Sequence, residues 1–185
     1  MMKIKMIVAL LALTVSGSGF AAATDANAFL AKQGLAGKSV EQIVDTIDQS
    51  PQARPLPYSA SITSKELKLS DGQQQQYSYP LGNKFYLSFA PYLQQTHPCF
   101  NHSLSGCQGE LVNTAFDVKI TDKAGNVIVQ KTLNSHQNGF VGVWLPRNIE
   151  GTINVSYQGR VASSPFATYD DSQTCMTRLP LKERT

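Results

Sequence analysis

The chain is poor in the residues that most often carry chemistry: three cysteines, three histidines and one tryptophan in 185 residues, with only 16% of positions charged. Each shortage excludes something. No serine sits in a Gly-x-Ser-x-Gly setting, Ser103 and Ser105 beside His102 included, and no paired carboxylates stand at suggestive positions, which counts against a hydrolase. No Cys-x-x-Cys lies on a βαβ pattern, so a thioredoxin-like exchange enzyme is not indicated. No internal repeat marks a solenoid, and the one long apolar run, Met6 to Val15, is too short to span a bilayer.

That run has a basic start, Met1-Met-Lys-Ile-Lys5, and is followed by Ser-Gly-Ser-Gly-Phe and Ala21-Ala22-Ala23. A basic start, a short apolar stretch and a small-x-small cleavage site predict a cleavable secretory signal peptide over residues 1–23 and no membrane anchor. Its removal takes Lys3 and Lys5 from the 16 basic residues and none of the 13 acidic ones, so the formal charge falls from +3 to +1. No basic surface remains to suggest nucleic acid or an anionic membrane. Export to an oxidising compartment makes an odd cysteine count informative, because at least one thiol must be free, metal-bound or shared between chains.

The mature chain divides by its periodicity. Residues 24–57 read as a helical segment and linker. Asp25 can cap a first short helix ending at Gly34 or Gly37. Ser39 and Gln42 form a capping-box pair before Val40, Ile43, Val44 and Ile47, which recur at helical spacing, and Pro51 to Pro57 reads as extended chain. The apolar stripe of this second helix either packs on the chain's own core or pairs two copies into a homodimer. Residues 58–185 change to a period of two: Phe85, Leu87 and Phe89, then Phe116, Val118 and Ile120, then Ile153, Val155 and Tyr157, each alternating with polar neighbours. Asp122 to Asn126 is a hairpin connection to Val127–Leu133, and further strands are predicted near 60–69, 139–145 and 160–162, with Gln73–Gln76 a polar loop. The predicted fold is mainly β, an antiparallel β-sandwich-like domain with a short α-helical N-terminal segment.

The segment His97-Pro-Cys99-Phe-Asn-His102-Ser-Leu-Ser-Gly-Cys107 joins two of those strands and holds two cysteines and two histidines. Proline at a first helical position predicts a short helix or turn from Pro98 to about Leu104, stopped at Gly106, with Cys99 in the first turn, where the helix dipole favours a thiolate. His102 would share its face and Cys107 fold back toward both. Cys175, in a tail with no evident strand role, could return to the loop, with Met176 beside it. Three soft sulfurs suit Cu(I), assisted by His97, His102 or Met176, whereas zinc would need a histidine as its fourth ligand. Cu(II) could also take electrons from two thiolates, leaving Cu(I) and a Cys99–Cys107 disulfide, with Cys175 to bind or to resolve it. Glu110 could orient a histidine or the loop's backbone. His136 reads as a solvated turn residue, and Phe140 and Trp144 as core.

His97-Pro98-Cys99-Phe-Asn-His102-Ser103-Leu104-x-x-Cys107-Gln108-Gly109-Glu110, with the tail Thr174-Cys175-Met176-Thr177, resembles the CueP family of periplasmic copper-binding proteins of Gram-negative bacteria. The resemblance implies periplasmic copper sequestration, a copper site built from Cys99, Cys107 and Cys175, delivery to a periplasmic Cu,Zn superoxide dismutase, and an associated cupric-reducing activity. The rival readings are a sandwich-type binding or adhesion module stapled by a structural disulfide, and a zinc-binding protein.

Overall fold

The computed structural model describes residues 18–72 and 75–184, and the side chains from Asp25 onward. Most of the expected signal peptide, residues 1–17, lies outside the described residues, as do Gln73 and Gln74 of the polar loop. No described helix is long and apolar enough to cross a membrane.

The chain forms two compact units, divided between Ala36 and Gly37. In the first, helix α1 (Ser18–Lys32) runs through Asp25 instead of starting at it. It ends where Gly34 takes a positive φ of 69° and the Leu35 N–H reaches back to the Leu30 carbonyl at 2.7 Å, a glycine-dependent stop.

The second unit opens with α2 (Val40–Asp48), whose predicted capping box is present: the Ser39 hydroxyl accepts from the Gln42 N–H, and the Gln42 side chain accepts from the Ser39 N–H. The stripe Ile43, Val44 and Ile47 is buried within the monomer. Twelve described strands follow in chain order: β1 (Ser59–Ile62), β2 (Glu66–Ser70), β3 (Gln76–Pro80), β4 (Lys84–Tyr92), β5 (His102–Ser103), β6 (Ala115–Asp122), β7 (Val127–Asn134), β8 (Val141–Pro146), β9 (Glu150–Tyr157), β10 (Arg160–Ala167), β11 (Cys175–Pro180) and β12 (Lys182–Glu183). They form sheets ordered β3-β2-β1-β5, β12-β10-β9-β6-β7 and β11-β4-β8.

The expected mainly β, sandwich-like architecture is thus present. The five-stranded and three-stranded sheets enclose one core, to which Phe85, Leu87, Phe89, Phe116, Ile120, Val143, Ile153 and Leu179 contribute. The β6–β7 hairpin forms where predicted. Gly125 adopts φ 89°, and the Asp122 carboxylate accepts the Asn126 N–H at 2.8 Å.

Two expectations about the chain's course are corrected. The tail around Cys175 is a strand: β11 lies parallel to β4, with Cys175 opposite Ser88 and Met176 opposite Phe89. And Pro98–Leu104 is not helical. His102 and Ser103 pair with Ile62 and Ser61 of β1, so the segment spends its backbone bonds on a distant strand. Trp144 also differs from expectation. It is half-buried on the side of β8 away from the core, where it donates to the Asp45 carboxylate of α2 at 2.9 Å.

Candidate metal centre

The cysteine loop is held on three sides. From β1, the Ala60 carbonyl accepts the Ser105 N–H, and the Ser105 hydroxyl accepts the Ala60 N–H at 2.9 Å. From the tail, the Phe100 carbonyl accepts the N–H groups of Thr174 and Cys175, while the Thr174 hydroxyl accepts the His102 N–H at 3.0 Å and donates to the Ile62 carbonyl at 2.7 Å. From the linker, Arg54 donates to the Leu104 carbonyl at 2.9 Å and also to the Ile47 and Asp48 carbonyls at the end of α2. A cation there satisfies the orphan carbonyls and the negative end of the helix dipole.

Within this frame the chain turns back through Ser103, whose carbonyl accepts the Cys107 N–H at 2.9 Å. The ligand atoms of Cys99, His102, Cys107 and Cys175 all lie within 4.8 Å of one another, and among the described residues this is the group of such side chains able to hold a metal. Phe140, Ala90 and Cys175 make the buried floor, against which Cys99 and Cys107 pack. The Phe140 ring lies 4.5 Å from that of His102, centroid to centroid.

The sulfur pairing is not the one expected. Cys99 is bonded to Cys175, 76 positions away, and Cys107 is the free thiol, its sulfur 3.6 Å from that of Cys99. The reason is the tail strand. Its register with β4 and its two N–H bonds to Phe100 bring the Cα atoms of residues 99 and 175 to 5.5 Å, within the range a disulfide needs. Without a helix at 98–104, Cys99 also gains nothing from a helix dipole.

Cys107 is instead the sulfur whose ionisation its surroundings favour. Burial works against its ionisation, but the hydrogen bond and charge of His102 outweigh that and hold its pKa below the usual 9.0. Burial likewise works against the charged form of His102. The Asp48 carboxylate and the Cys107 sulfur overcome it, raising the His102 pKa from 6.5 to about 9.

Asp48 is the functional residue that motif reading missed. It is fully buried at the last position of α2, and its Oδ1 accepts from His102 Nε2 at 3.1 Å and from Asn138 Nδ2 at 2.7 Å, while its Oδ2 accepts from the Tyr86 hydroxyl at 2.6 Å. Burial alone would raise its pKa, but the hydrogen bonds from His102 and Tyr86 and the imidazolium charge hold it down. Gly142 makes room for the assembly. A Cβ there would overlap the Tyr86 hydroxyl and come 2.8 Å from Asp48 Oδ2. A signal was present in the sequence: Asp48 falls four residues after Val44, on the apolar face of α2 and at the helix end where an acid is unfavourable.

The remaining residues are placed as follows. His97 and Met176 line a cleft of about 550 Å³ together with Cys99, outside the four-donor group. Met176 belongs to the hydrophobic core, and the buried His97 Nε2 has no hydrogen-bond partner. Glu110 orients backbone, its carboxylate accepting the N–H groups of Leu93, Gln94 and Gln95 at 2.7 to 3.2 Å. His136 is half-buried in the turn before Phe140. That turn touches the cysteine loop backbone to backbone. The Gly109 N–H donates to the Asn138 carbonyl at 2.7 Å, and a Cβ on Gly109 would come 2.5 Å from the Gly139 carbonyl oxygen.

This geometry has counterparts among known proteins. No curated protein matches the chain. The family model "Periplasmic copper-binding protein CueP" matches residues 42–180, from within α2 to the end of β11. The crystal structure of S.CueP is 67% identical, superposes with a TM-score of 0.83, and the match covers 92% of this chain and 100% of that one. With its cysteine loop, tail strand and floor all inside the matched region, the chain belongs to the CueP family of periplasmic copper-binding proteins.

Proposed function

We propose that the protein is an exported periplasmic copper carrier that holds Cu(I) on the thiolates of Cys99, Cys107 and Cys175 with His102 as fourth donor. The observation that carries this is the convergence of three sulfurs and one imidazole within 4.8 Å. Soft donors of this kind favour Cu(I). A Cys₃His set also suits zinc, but zinc offers no electron chemistry, and here two of the three sulfurs are close enough to share a bond. The redox step balances simply: Cys99 and Cys175 each give up one electron and one proton, the S–S bond forms, two Cu(II) become two Cu(I), and the protons pass to solvent. Disulfide formation leaves Cys107 and His102 as the only donors of the group, so the oxidised form holds copper more weakly and releases it. The accepting protein in this reading is a periplasmic Cu,Zn superoxide dismutase, reached after cleavage of a signal peptide over residues 1–23. The apolar stripe of α2 is spent on the monomer's own core, so a pairing of two copies would need another surface, which light scattering on the mature chain would test.

The deciding experiment is metal titration with a free-thiol count on mature protein, reduced and then oxidised. Expected are three thiols and tight Cu(I) binding in the reduced form, poor competition by zinc, one thiol and weakened copper binding in the oxidised form, and two Cu(I) produced from Cu(II) per disulfide formed. Equal copper affinity in both forms, or none in either, would overturn the reading in favour of a disulfide-stapled binding module. Zinc outcompeting Cu(I) would favour the zinc reading.

A further inference from the structure

The buried carboxylate of Asp48 decides which nitrogen of His102 is offered to the sulfurs. His102 is inaccessible to solvent, its Nε2 is 3.1 Å from Asp48 Oδ1, and its Nδ1 is 3.8 Å from the Cys175 sulfur. An ionised carboxylate can only accept. Asp48 already receives the Tyr86 hydroxyl on Oδ2 and the Asn138 amide on Oδ1, so both of its oxygens act as acceptors and its rotation is fixed. The nitrogen facing it must therefore carry a hydrogen, and the nitrogen facing the sulfurs is the one that can surrender its proton to a metal. We infer that Asp48, held by Tyr86 and Asn138, is the positioning residue of the copper site: it locks His102 with its proton on Nε2 and makes Nδ1 the ligand atom.

The arrangement follows the rule that a metal-binding histidine is oriented by a carboxylate on its other nitrogen, whose loss costs about 10–100-fold in metal affinity. It also accounts for a local arrangement that folding alone does not favour, an acid at the C-terminal end of a helix, buried, with a glycine at position 142 clearing space for it. The inference rests on the copper reading above.

The test is a double-mutant cycle on Asp48→Asn and His102→Gln in reduced, full mature protein, reading Cu(I) affinity by competition with a chromophoric chelator. Asp48→Asn should weaken Cu(I) about 10–100-fold in the native background and leave the His102→Gln protein unchanged, because Asp48 acts only through that ring. Equal losses in both backgrounds would mean Asp48 merely supports the fold and would overturn the inference. Tyr86→Phe, which keeps the carboxylate and removes one of its donors, repeats the cycle with a smaller loss should Asp48→Asn fail to fold. Nitrogen-15 NMR of the Cu(I)-loaded protein gives a readout that a structural role would not move: His102 should keep its proton on Nε2 and bind through Nδ1, and coordination through Nε2 would overturn the assignment. If His102→Gln alone leaves Cu(I) affinity intact while Cys107→Ser lowers it, this inference fails and the three-sulfur reading stands. If Cys107→Ser also changes nothing, the copper reading itself fails.

Discussion

Strand β4 is buried on both faces, and the two faces do different work. Phe85, Leu87 and Phe89 enter the core between the sheets. Tyr86, Ser88 and Ala90 are as thoroughly buried on the other side, yet there Tyr86 holds Asp48, Ser88 stands opposite Cys175, and Ala90 packs under the sulfurs. Burial on the first face excludes water around hydrocarbon and supplies stability. On the second it surrounds a carboxylate, an imidazole and three sulfurs, where each polar group must be met by a partner or destabilise the fold. A single strand thus separates the part of the molecule that folds it from the part that binds.

The separation can be broken from either side. The largest effect on stability is expected from Phe85→Ala, at about 3–5 kcal/mol by urea unfolding, with the reactivity of the Cys107 thiol unchanged below the transition. Gly142→Ala should cost about 1–3 kcal/mol, because its methyl group meets the Tyr86 hydroxyl and Asp48. Unlike Phe85→Ala, it should also alter Cys107 reactivity, and if it does not, the two faces are less coupled through Asp48 than the hydrogen bonds imply. His102→Gln sharpens the contrast without a large change in packing. Cys107 is the free thiol of the oxidised protein, and its pKa is held down by His102. Thiolate therefore persists to lower pH in the native protein, and in the variant, where burial acts on the thiol without the imidazole to oppose it, the pH midpoint of Cys107 alkylation should move up. An unmoved midpoint would show that the imidazole does not act on that sulfur. The smallest effect belongs to Ser88→Ala. The Ser88 hydroxyl is buried without a hydrogen-bond partner, so its loss should leave stability unchanged or raise it by up to about 1 kcal/mol in the oxidised protein.

The two faces also differ in how far the sequence discloses them. Strands β6 and β9 were legible because each has a wet side, which imposes the alternation of Phe116, Val118 and Ile120 with Asp117, Lys119 and Thr121. The α2 helix was legible down to its capping box, which is local chemistry. Strand β11 was not, because it is buried nearly throughout, shows no alternation, and pairs in parallel with a strand more than eighty positions earlier in the chain. Missing it led to the wrong disulfide, since Cys99 and Cys107 are neighbours in sequence while Cys175 becomes one only through β11. The four donors themselves were visible as residue types at suggestive spacing, whereas Asp48, Tyr86 and Asn138 were not. They are assembled from α2, β4 and the 136–139 turn, and no short motif links them. Local chemistry named the ligands, and only tertiary structure could name what holds them.

The contact between Gly109 and Gly139 has a mechanical consequence. The chain just after Cys107 and the turn that presents Asn138 to Asp48 meet main chain to main chain at Gly109 and Gly139, with a hydrogen bond from Gly109 to Asn138 and no side chain of either glycine to act as a spring. A push on one is a push on the other. Were a metal ion to draw the Cys107 sulfur inward, the displacement would pass through Gly109 to Asn138 and so to the carboxylate on the far side of the imidazole, coupling the closing of the sulfur side to the tilting of the ring.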